Sequence, residues 1–310
     1  MEIPARVEDF EALHGLEDPL YLAIGIFDGV HRGHKAVVAA AVHAARDAGG
    51  VSAVLTFDPH PSQLFRPDSA TRLILPIETK VGLLQEAGIQ VVIGKRFDAN
   101  FAAIAATEFI AHLKQALPTL AGIFVGSNFR FGQQRIGDVE LLKATGKEAG
   151  ISVLSMERLQ HGGEAISSTR IRHALEKGAI ETANALFGYN YGFQGSVVAG
   201  AGKGREFGFP TLNLPWAPKC APRYGVYLVR SRLLGTKEWQ AGIANYGVKP
   251  TVAENAEPAL EIHMLAATDL EAGSVLEVEW LRFRRGERRF ENIAALKAQI
   301  ASDLKWAKEI

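Results

Sequence analysis

The sequence predicts an α/β protein in two parts, a first half built on a parallel sheet and a second half of antiparallel strands closed by a helix. Two observations carry this. From residue 21 to about 188, short β-rich apolar runs alternate with longer alanine-rich segments. After 188 the chain changes to successive stretches rich in Val, Tyr and Leu. Strand–helix alternation is the pattern of a parallel sheet covered on both faces, whereas strands without intervening helices pair antiparallel.

In the first half, residues 22–27, 51–57, 91–93, 122–125 and 151–154 read as strands, with helices at 35–48, 80–87, 103–116 and 139–149. In the second, strands are expected at 195–198, 225–232, 260–265 and 275–283, the third kept from starting earlier by Pro258, which cannot donate to a ladder. A closing helix over 293–308 carries Ile293, Leu296, Ile300 and Leu304 at the spacing of one buried face. A chain of 310 residues exceeds the usual size of a single core, and the change of texture sets the expected domains at 1–187 and 188–310.

Composition narrows the class. Lys plus Arg equal Asp plus Glu at 34 each, which removes the electrostatic footprint of a dedicated nucleic-acid or anionic-membrane binder. The lone cysteine, Cys220, excludes an intrachain disulfide and a cysteine-based zinc cluster, as in a reducing compartment. Residues 1–20 lack the basic and apolar regions of a secretory signal. No apolar run reaches the roughly 18 residues of a membrane span, so the cytoplasm is the expected location.

Two clusters in the first half point to an anion. Gly25-Ile26-Phe27-Asp28-Gly29-Val30-His31-Arg32-Gly33-His34 places glycines and two histidines where a buried strand turns into a helix. Glycines admit an anion close to the backbone, and the free N–H groups of the next helix favour negative charge. His31 and His34, three apart, are expected on one face of the first turn, both able to donate to phosphate oxygens. A zinc site does not close with two histidines alone. Ile166-Ser167-Ser168-Thr169-Arg170-Ile171-Arg172 opens a second amphipathic helix, and two serines, a threonine and two arginines exceed what capping needs. Phe57, Phe129 and Phe131 read as core when taken by themselves.

The second half has a different cluster. Gly200-Ala201-Gly202-Lys203-Gly204-Arg205 fails the P-loop signature, because Val197 stands where its first glycine belongs and Gly204 follows the lysine. A glycine-rich turn can still wrap phosphate through backbone N–H groups. In Phe207-Gly208-Phe209-Pro210-Thr211-Leu212-Asn213, Thr211 and Asn213 fall on one side of an extended chain. In the strand at 260–265, Leu260, Ile262 and Met264 share one face and Glu261 and His263 the other, a pattern that suits a site or solvent equally.

Several of these stretches resemble one family. Residues 27–34 are similar to the HxGH nucleotidyltransferase signature and 166–172 to its downstream SSTxIR element. Thr56-Phe57-Asp58-Pro59-His60-Pro61 and Gly126-Ser127-Asn128-Phe129-Arg130-Phe131-Gly132 narrow the likeness to bacterial bifunctional riboflavin kinases/FMN adenylyltransferases. Residues 204–213, 225–227, 245–251 and 261–263 resemble that family's riboflavin kinase domain. The resemblance implies a Rossmann-like nucleotidyltransferase domain followed by an antiparallel β-barrel. It implies that His31 and His34 contact ATP phosphates, that Gly25, Phe27, Asp28, Gly33 and Asn128 line the ATP site, and that Ser168, Thr169 and Arg172 hold the polyphosphate. Phe57, Pro59, Pro61 and Phe129 would border the flavin. In the kinase half it implies ATP binding by Gly202, Lys203, Gly204, Gly208, Pro210, Thr211 and Asn213, Mg²⁺ held with Thr211 and Asn213, and Glu261 as general base. The chain departs from the family at Asn128, where aspartate is common, and at Ala272 and Gly286 in expected loops.

The implied chemistry suits the residue types. A phosphomonoester is already an anionic nucleophile and needs no base. Its obstacle is repulsion, roughly 4 kcal/mol for unit charges about 4 Å apart at an effective dielectric near 20. Riboflavin attacks through a neutral hydroxyl, for which a carboxylate within reach is useful. Riboflavin, FMN, FAD and ATP are the small-molecule partners the resemblance implies.

Overall fold

The computed structural model describes residues 4–200, 202–248 and 257–310; the side chain of Lys203 and the stretch 249–251 lie outside that part. Contacts divide the chain into two compact units, Met1–Ser168 and Thr169–Ile310.

The first unit holds six parallel strands, β1 (Arg6–Val7), β2 (Leu20–Ile24), β3 (Val51–Phe57), β4 (Val91–Lys95), β5 (Leu120–Gly126) and β6 (Ser152–Met156), in the order β1-β4-β3-β2-β5-β6. The two central strands are nearly sealed: residues 51–56 of β3 are all buried, which is why that strand reads as a continuous apolar run. Helices α1 (Arg32–Asp47), α2 (Ile77–Glu86), α3 (Phe109–Ala116) and α4 (Val139–Glu148) make the crossovers, and a short hairpin, β7 (Gln160–His161) and β8 (Glu164–Ala165), follows β6.

One helix differs from expectation. Residues 103–116 do not form a single helix; α3 starts only at Phe109, after a one-turn helix at Ala99–Ala102 and a 3₁₀ turn at Ala106–Glu108. The cause is a backbone commitment. The Ile104 carbonyl, which a continuous helix would bond to residue 108, accepts instead from the Gln133 N–H at 2.7 Å. Gly132, at φ 71°, lies so near Ala106 that a Cβ would come within 2.6 Å of its Cα.

The second unit begins with α5 (Ser168–Lys177, its first residue in the first unit) and α6 (Ile180–Phe187), which Gly188 ends in the left-handed conformation. Six antiparallel strands follow: β9 (Gly192–Ser196), β10 (Leu212–Pro215), β11 (Gly225–Leu233), β12 (Gln240–Val248), β13 (Pro258–Met264) and β14 (Val275–Gly286), ordered β10-β13-β12-β11-β14-β9. A bridge between Val198 and Asn213 joins the two edges and nearly closes a barrel. Its interior is aromatic: Tyr227, Tyr246 and Trp280 are sealed, with Trp216 packed against the last two.

Strand β12 escaped the sequence reading because Ala241, Gly242, Ala244, Asn245 and Gly247 give it little β-propensity. Its glycines are there for proximity; a Cβ on Gly242 would sit 2.7 Å from Ile262 Cγ2. The closing helix α7 (Ile293–Lys308) forms as expected, and Leu296, Ile300 and Leu304 of its expected face are half-buried, Leu304 against Val226, Leu228 and Ile243. Ile293 is 56% exposed, and the sealed residues are Asp303 and Ala307. A polar anchor adds to the apolar contacts of Leu304, Trp306 and Ala307. Asp303 accepts from Arg285 at 2.8 and 3.0 Å, Arg284 at 3.4 Å and Gln299 at 2.7 Å. Apolar periodicity therefore placed the contact face, missing only its polar centre and the exposure of Ile293.

Removing a buried carboxylate leaves its guanidinium partners uncompensated. Asp303→Ala should destabilise the second unit by about 2–4 kcal/mol, less than for a fully sealed pair because both arginines keep some solvent contact. Urea unfolding followed by tryptophan fluorescence measures it.

Candidate active sites

In the first unit the site is the turn joining β2 to α1. Phe27, Gly29 and Val30 have φ of 51°, 85° and 33°, two of them non-glycine residues in the left-handed region. Such conformations cost on the order of 1–3 kcal/mol each and persist only where surroundings over-determine them. Here they do. Phe27 and Val30 are buried, and the Asp28 carboxylate accepts from the N–H groups of Ile74 (3.0 and 3.1 Å) and Leu75 (3.4 Å). The Asp28 carbonyl accepts from Ser168 Oγ at 2.8 Å, and the Ile26 carbonyl from Thr56 Oγ1 at 2.9 Å and Lys80 Nζ at 3.3 Å.

The histidines are arranged differently from the expected single helix face. His31 is the N-cap of α1, and its Nδ1 accepts from the His34 N–H at 3.2 Å. Its ring thereby folds over the helix end and stacks on that of His34, centroids 3.5 Å apart and planes 15° from parallel. Because Nδ1 of His31 accepts, the neutral ring carries its proton on Nε2. Burial holds His31 down to about 4, with the Arg158 charge adding to the effect. Burial also holds His34 well below the usual histidine range, helped by His31 and Lys80. At neutral pH the pair is uncharged, and His34 Nδ1 is shut off from solvent with no protein partner. Phe27 meets the His34 ring edge-on at 5.3 Å. Gly33 lies under His31, where a Cβ would come within 3.2 Å of Cε1.

Gly25 opens the turn, its N–H on the Leu55 carbonyl at 3.1 Å. Thr169 and Arg172 stand on the first two turns of α5, after Ser168. Phe57 and Phe129 are half-buried against the core, Phe57 edge-on to Phe97 at 5.1 Å and Phe129 stacked on Phe131 at 5.7 Å. Phe131 itself is core. Pro59 and Pro61 are half-buried in the loop after β3, and Asn128 is exposed beyond β5. Sequence reasoning missed Lys80 and gave Thr56 no role of its own. The available signal was a lysine four residues before the buried Leu84, hence on the buried face of α2.

In the second unit, register makes the site. Glu261 on β13 is paired with Asn213 of β10 on one side and Asn245 of β12 on the other, so three polar side chains stand in one row across adjacent strands. Leu260, Ile262 and Met264 are buried while Glu261 and His263 are not, as the alternation predicts. His263 Nδ1 is 2.8 Å from the Pro210 carbonyl, fastening the turn that bears Thr211, and Asn213 Nδ2 donates to the Thr211 carbonyl at 3.4 Å. The glycine-rich segment folds onto the same turn: Phe209 N–H donates to the Gly204 carbonyl at 2.7 Å, and Gly202 and Gly208 both take positive φ. Asn245 was not singled out from sequence, nor was Glu287, whose carboxyl burial raises while a hydrogen bond with Asn245 opposes the shift.

No group of three His, Cys, Asp or Glu among the described residues could hold a metal by itself. The side-chain oxygens of Thr211 and Asn213 nevertheless suit a hard divalent ion that keeps most of its ligands from phosphate and water, as Mg²⁺ does.

Comparison with known proteins adds the following. A family model described as FAD synthetase matches residues 15–170, and one described as riboflavin kinase matches residues 187–310. The chain is 39% identical over 289 residues to the bifunctional riboflavin kinase/FMN adenylyltransferase of Escherichia coli (strain K12), covering 93% of this chain and 91% of that protein. It is 34% identical over 288 residues to the protein of the same name from Bacillus subtilis (strain 168), covering 91% and 89%. A crystal structure described as a macrolide-efflux protein from Streptococcus pneumoniae superposes with a TM-score of 0.87 at 26% identity, covering 98% of both chains. Among the described residues, no helix of this chain is long and apolar enough to cross a membrane.

The depressed His31 value has a sign. Between about 6.5 and about 4 the unfolded chain binds a proton that the folded one refuses, so stability is full above that window and falls as pH drops through it. The loss should reach at most about 3 kcal/mol. Urea unfolding at pH 7.5 and pH 5 should show the decline, reduced in His31→Asn.

Proposed function

The chain belongs to the bifunctional riboflavin kinase/FMN adenylyltransferase family and makes FMN from riboflavin and FAD from FMN, and we propose that it divides the two steps between the two sites described. The observation that carries this division is where carboxylates stand. In the first site the Asp28 carboxylate is spent on the Ile74 and Leu75 N–H groups, whereas in the second Glu261 sits between Asn213 and Asn245 on the half-open face of its strand. A site that receives a ready-made anion needs no base; one that must deprotonate an alcohol does.

In the adenylyl-transfer step, the FMN phosphate attacks the α-phosphorus of ATP and pyrophosphate leaves. Neutral His31 offers its Nε2–H and His34 its buried ring to phosphate oxygens. Thr169 and Arg172, on the opening turns of α5, hold the polyphosphate through hydroxyl and guanidinium donors, beside Ser168, whose own hydroxyl is given to the Asp28 carbonyl. Gly25, Phe27, Asp28, Gly33 and Asn128 shape the nucleotide site, the glycines by admitting the anion to the backbone. Phe57, Pro59, Pro61 and Phe129 border the flavin. The arrangement lowers the barrier by fixed donors placed where charge develops.

In the kinase step, Glu261 accepts the proton of the riboflavin hydroxyl as oxygen attacks the γ-phosphorus, and ADP leaves. Thr211 and Asn213 would hold Mg²⁺ with ATP, while Gly202, Lys203, Gly204, Gly208 and Pro210 form the turn around the phosphates. When bound, the ion offsets the negative charge of the phosphates at either step. The functional boundary we propose is 187/188, supported by a matched kinase segment that begins at residue 187, although contacts divide the chain at 168/169. Balanced charge supports a protein without a dedicated nucleic-acid or anionic-membrane partner, and the lone cysteine supports a reducing cytoplasm.

Glu261→Gln should abolish FMN formation from riboflavin and leave FAD formation from supplied FMN intact; His34→Ala should do the reverse. Chromatographic separation of flavins after incubation with ATP and Mg²⁺ reads both. A parallel loss of the two activities in a folded variant would contradict the division.

A further inference from the structure

Lys80 is a buried cation that the adenylyl-transfer scheme leaves without a role. It lies on α2, 6% exposed, where an aliphatic residue would fill the space without desolvating a charge. Its ammonium donates to Thr56 Oγ1 at 3.0 Å and to the Ile26 carbonyl at 3.3 Å, and Thr56 Oγ1 donates to the same carbonyl at 2.9 Å. All three groups meet beneath the residue that enters the left-handed turn. Ile26 is followed by Phe27, and the strained run continues to Val30, the residue before His31.

We propose that Lys80 is a positioning residue for adenylyl transfer: its ammonium pins the Ile26 carbonyl and the Thr56 hydroxyl, and so holds the strained turn that sets His31 and His34. The inference rests on the adenylyl-transfer reading of that turn. Four contacts hold the turn from outside, and they differ in kind. The Asp28 carboxylate on Ile74 and Leu75 and the Ser168 hydroxyl on the Asp28 carbonyl fix its middle. Lys80 and Thr56 fix its start, and only Lys80 brings a positive charge that bears on His34.

That charge is poised. Burial lowers the Lys80 ammonium to about 8, Asp28 and Asp58 pull the other way, and Arg6 lowers it further. Arg6 is itself 3.8 Å from Asp58 and 3.6 Å from Glu78. The groups bearing on Lys80 are thus Asp28 from the turn, Asp58 from the loop after β3, Arg6 from β1 and His34 from α1. Deprotonation keeps two N–H donors but removes the charge, loosening the hold on Ile26 and taking positive potential away from a site for anions. The protonated form is the competent one, so adenylyl transfer weakens as pH rises through about 8.

The test follows FAD formation from supplied FMN and ATP from pH 6 to 9.5, with riboflavin phosphorylation by the same preparation as internal reference. In the wild type, kcat for FAD formation should fall through about pH 8 in a limb that riboflavin phosphorylation lacks. Lys80→Met should lower that kcat about 10- to 100-fold at pH 7, abolish the limb and leave riboflavin phosphorylation unchanged. Lys80→Arg should recover part of the activity and move the limb beyond the range studied. A flat wild-type profile between pH 7 and 9 overturns the proposal, as does a Lys80→Met variant with unaltered kcat and pH profile. If Lys80→Met does not fold by circular dichroism, the wild-type limb and its displacement in Lys80→Arg decide. A wild type that makes FMN but no FAD overturns the adenylyl-transfer reading, and the Lys80 assignment with it.

Discussion

The first unit is organised around a backbone that would not hold its shape alone. Between Ile24 and Arg32 the chain must leave a buried strand and enter a helix while keeping Phe27 and Val30 in the core, and it does so by adopting positive φ at three residues. The energetic debt is local, and its repayment comes from elsewhere in the unit: backbone N–H groups at Ile74 and Leu75, a hydroxyl at Ser168, a hydroxyl at Thr56 and an ammonium at Lys80. Sequence separations of up to 140 residues are bridged to stabilise one turn. The stacked histidines follow from that geometry, since His31 can cap α1 only because the preceding turn delivers it in extended conformation.

The second unit solves the same problem without strain. Three neighbouring strands in register put Asn213, Glu261 and Asn245 side by side, at the spacing every antiparallel sheet imposes. The turn that carries Thr211 is then tied to the row by His263, two residues along the same strand face. One chain thus carries a candidate site made by contorting backbone and another made by ordinary pairing. The chemistry matches the means: an anion needs N–H groups and fixed donors brought close, while an alcohol needs one carboxylate correctly faced.

Much of this was legible in the residues. The strand at 51–57 was read to the residue, and the inward–outward alternation of Leu260 to Met264 held, because both depend on local periodicity. What periodicity could not reach was set by long-range contacts. The break before α3 depends on a hydrogen bond from Gln133 to Ile104, and the polar anchor of α7 on Asp303 and two arginines from β14. Strand β12 hid because its glycines and alanines serve close packing rather than β-propensity. In the site, the paired histidines and the Thr–x–Asn spacing announced themselves, but their stacking did not, nor did Lys80, whose meaning appears only when Thr56 and Ile26 are seen to share it.

Gly200 has a consequence of its own. It is solvent-exposed, in a loop, and by ordinary expectation free to vary. Yet any side chain there would overlap the amide nitrogen of Asn213, which is itself buried and joined through its backbone to Val198. Even a single methyl would push the asparagine out of line with Glu261. An outward-facing position thereby inherits the intolerance of an interior one, and a surface remodelled for solubility or labelling would have to leave it untouched.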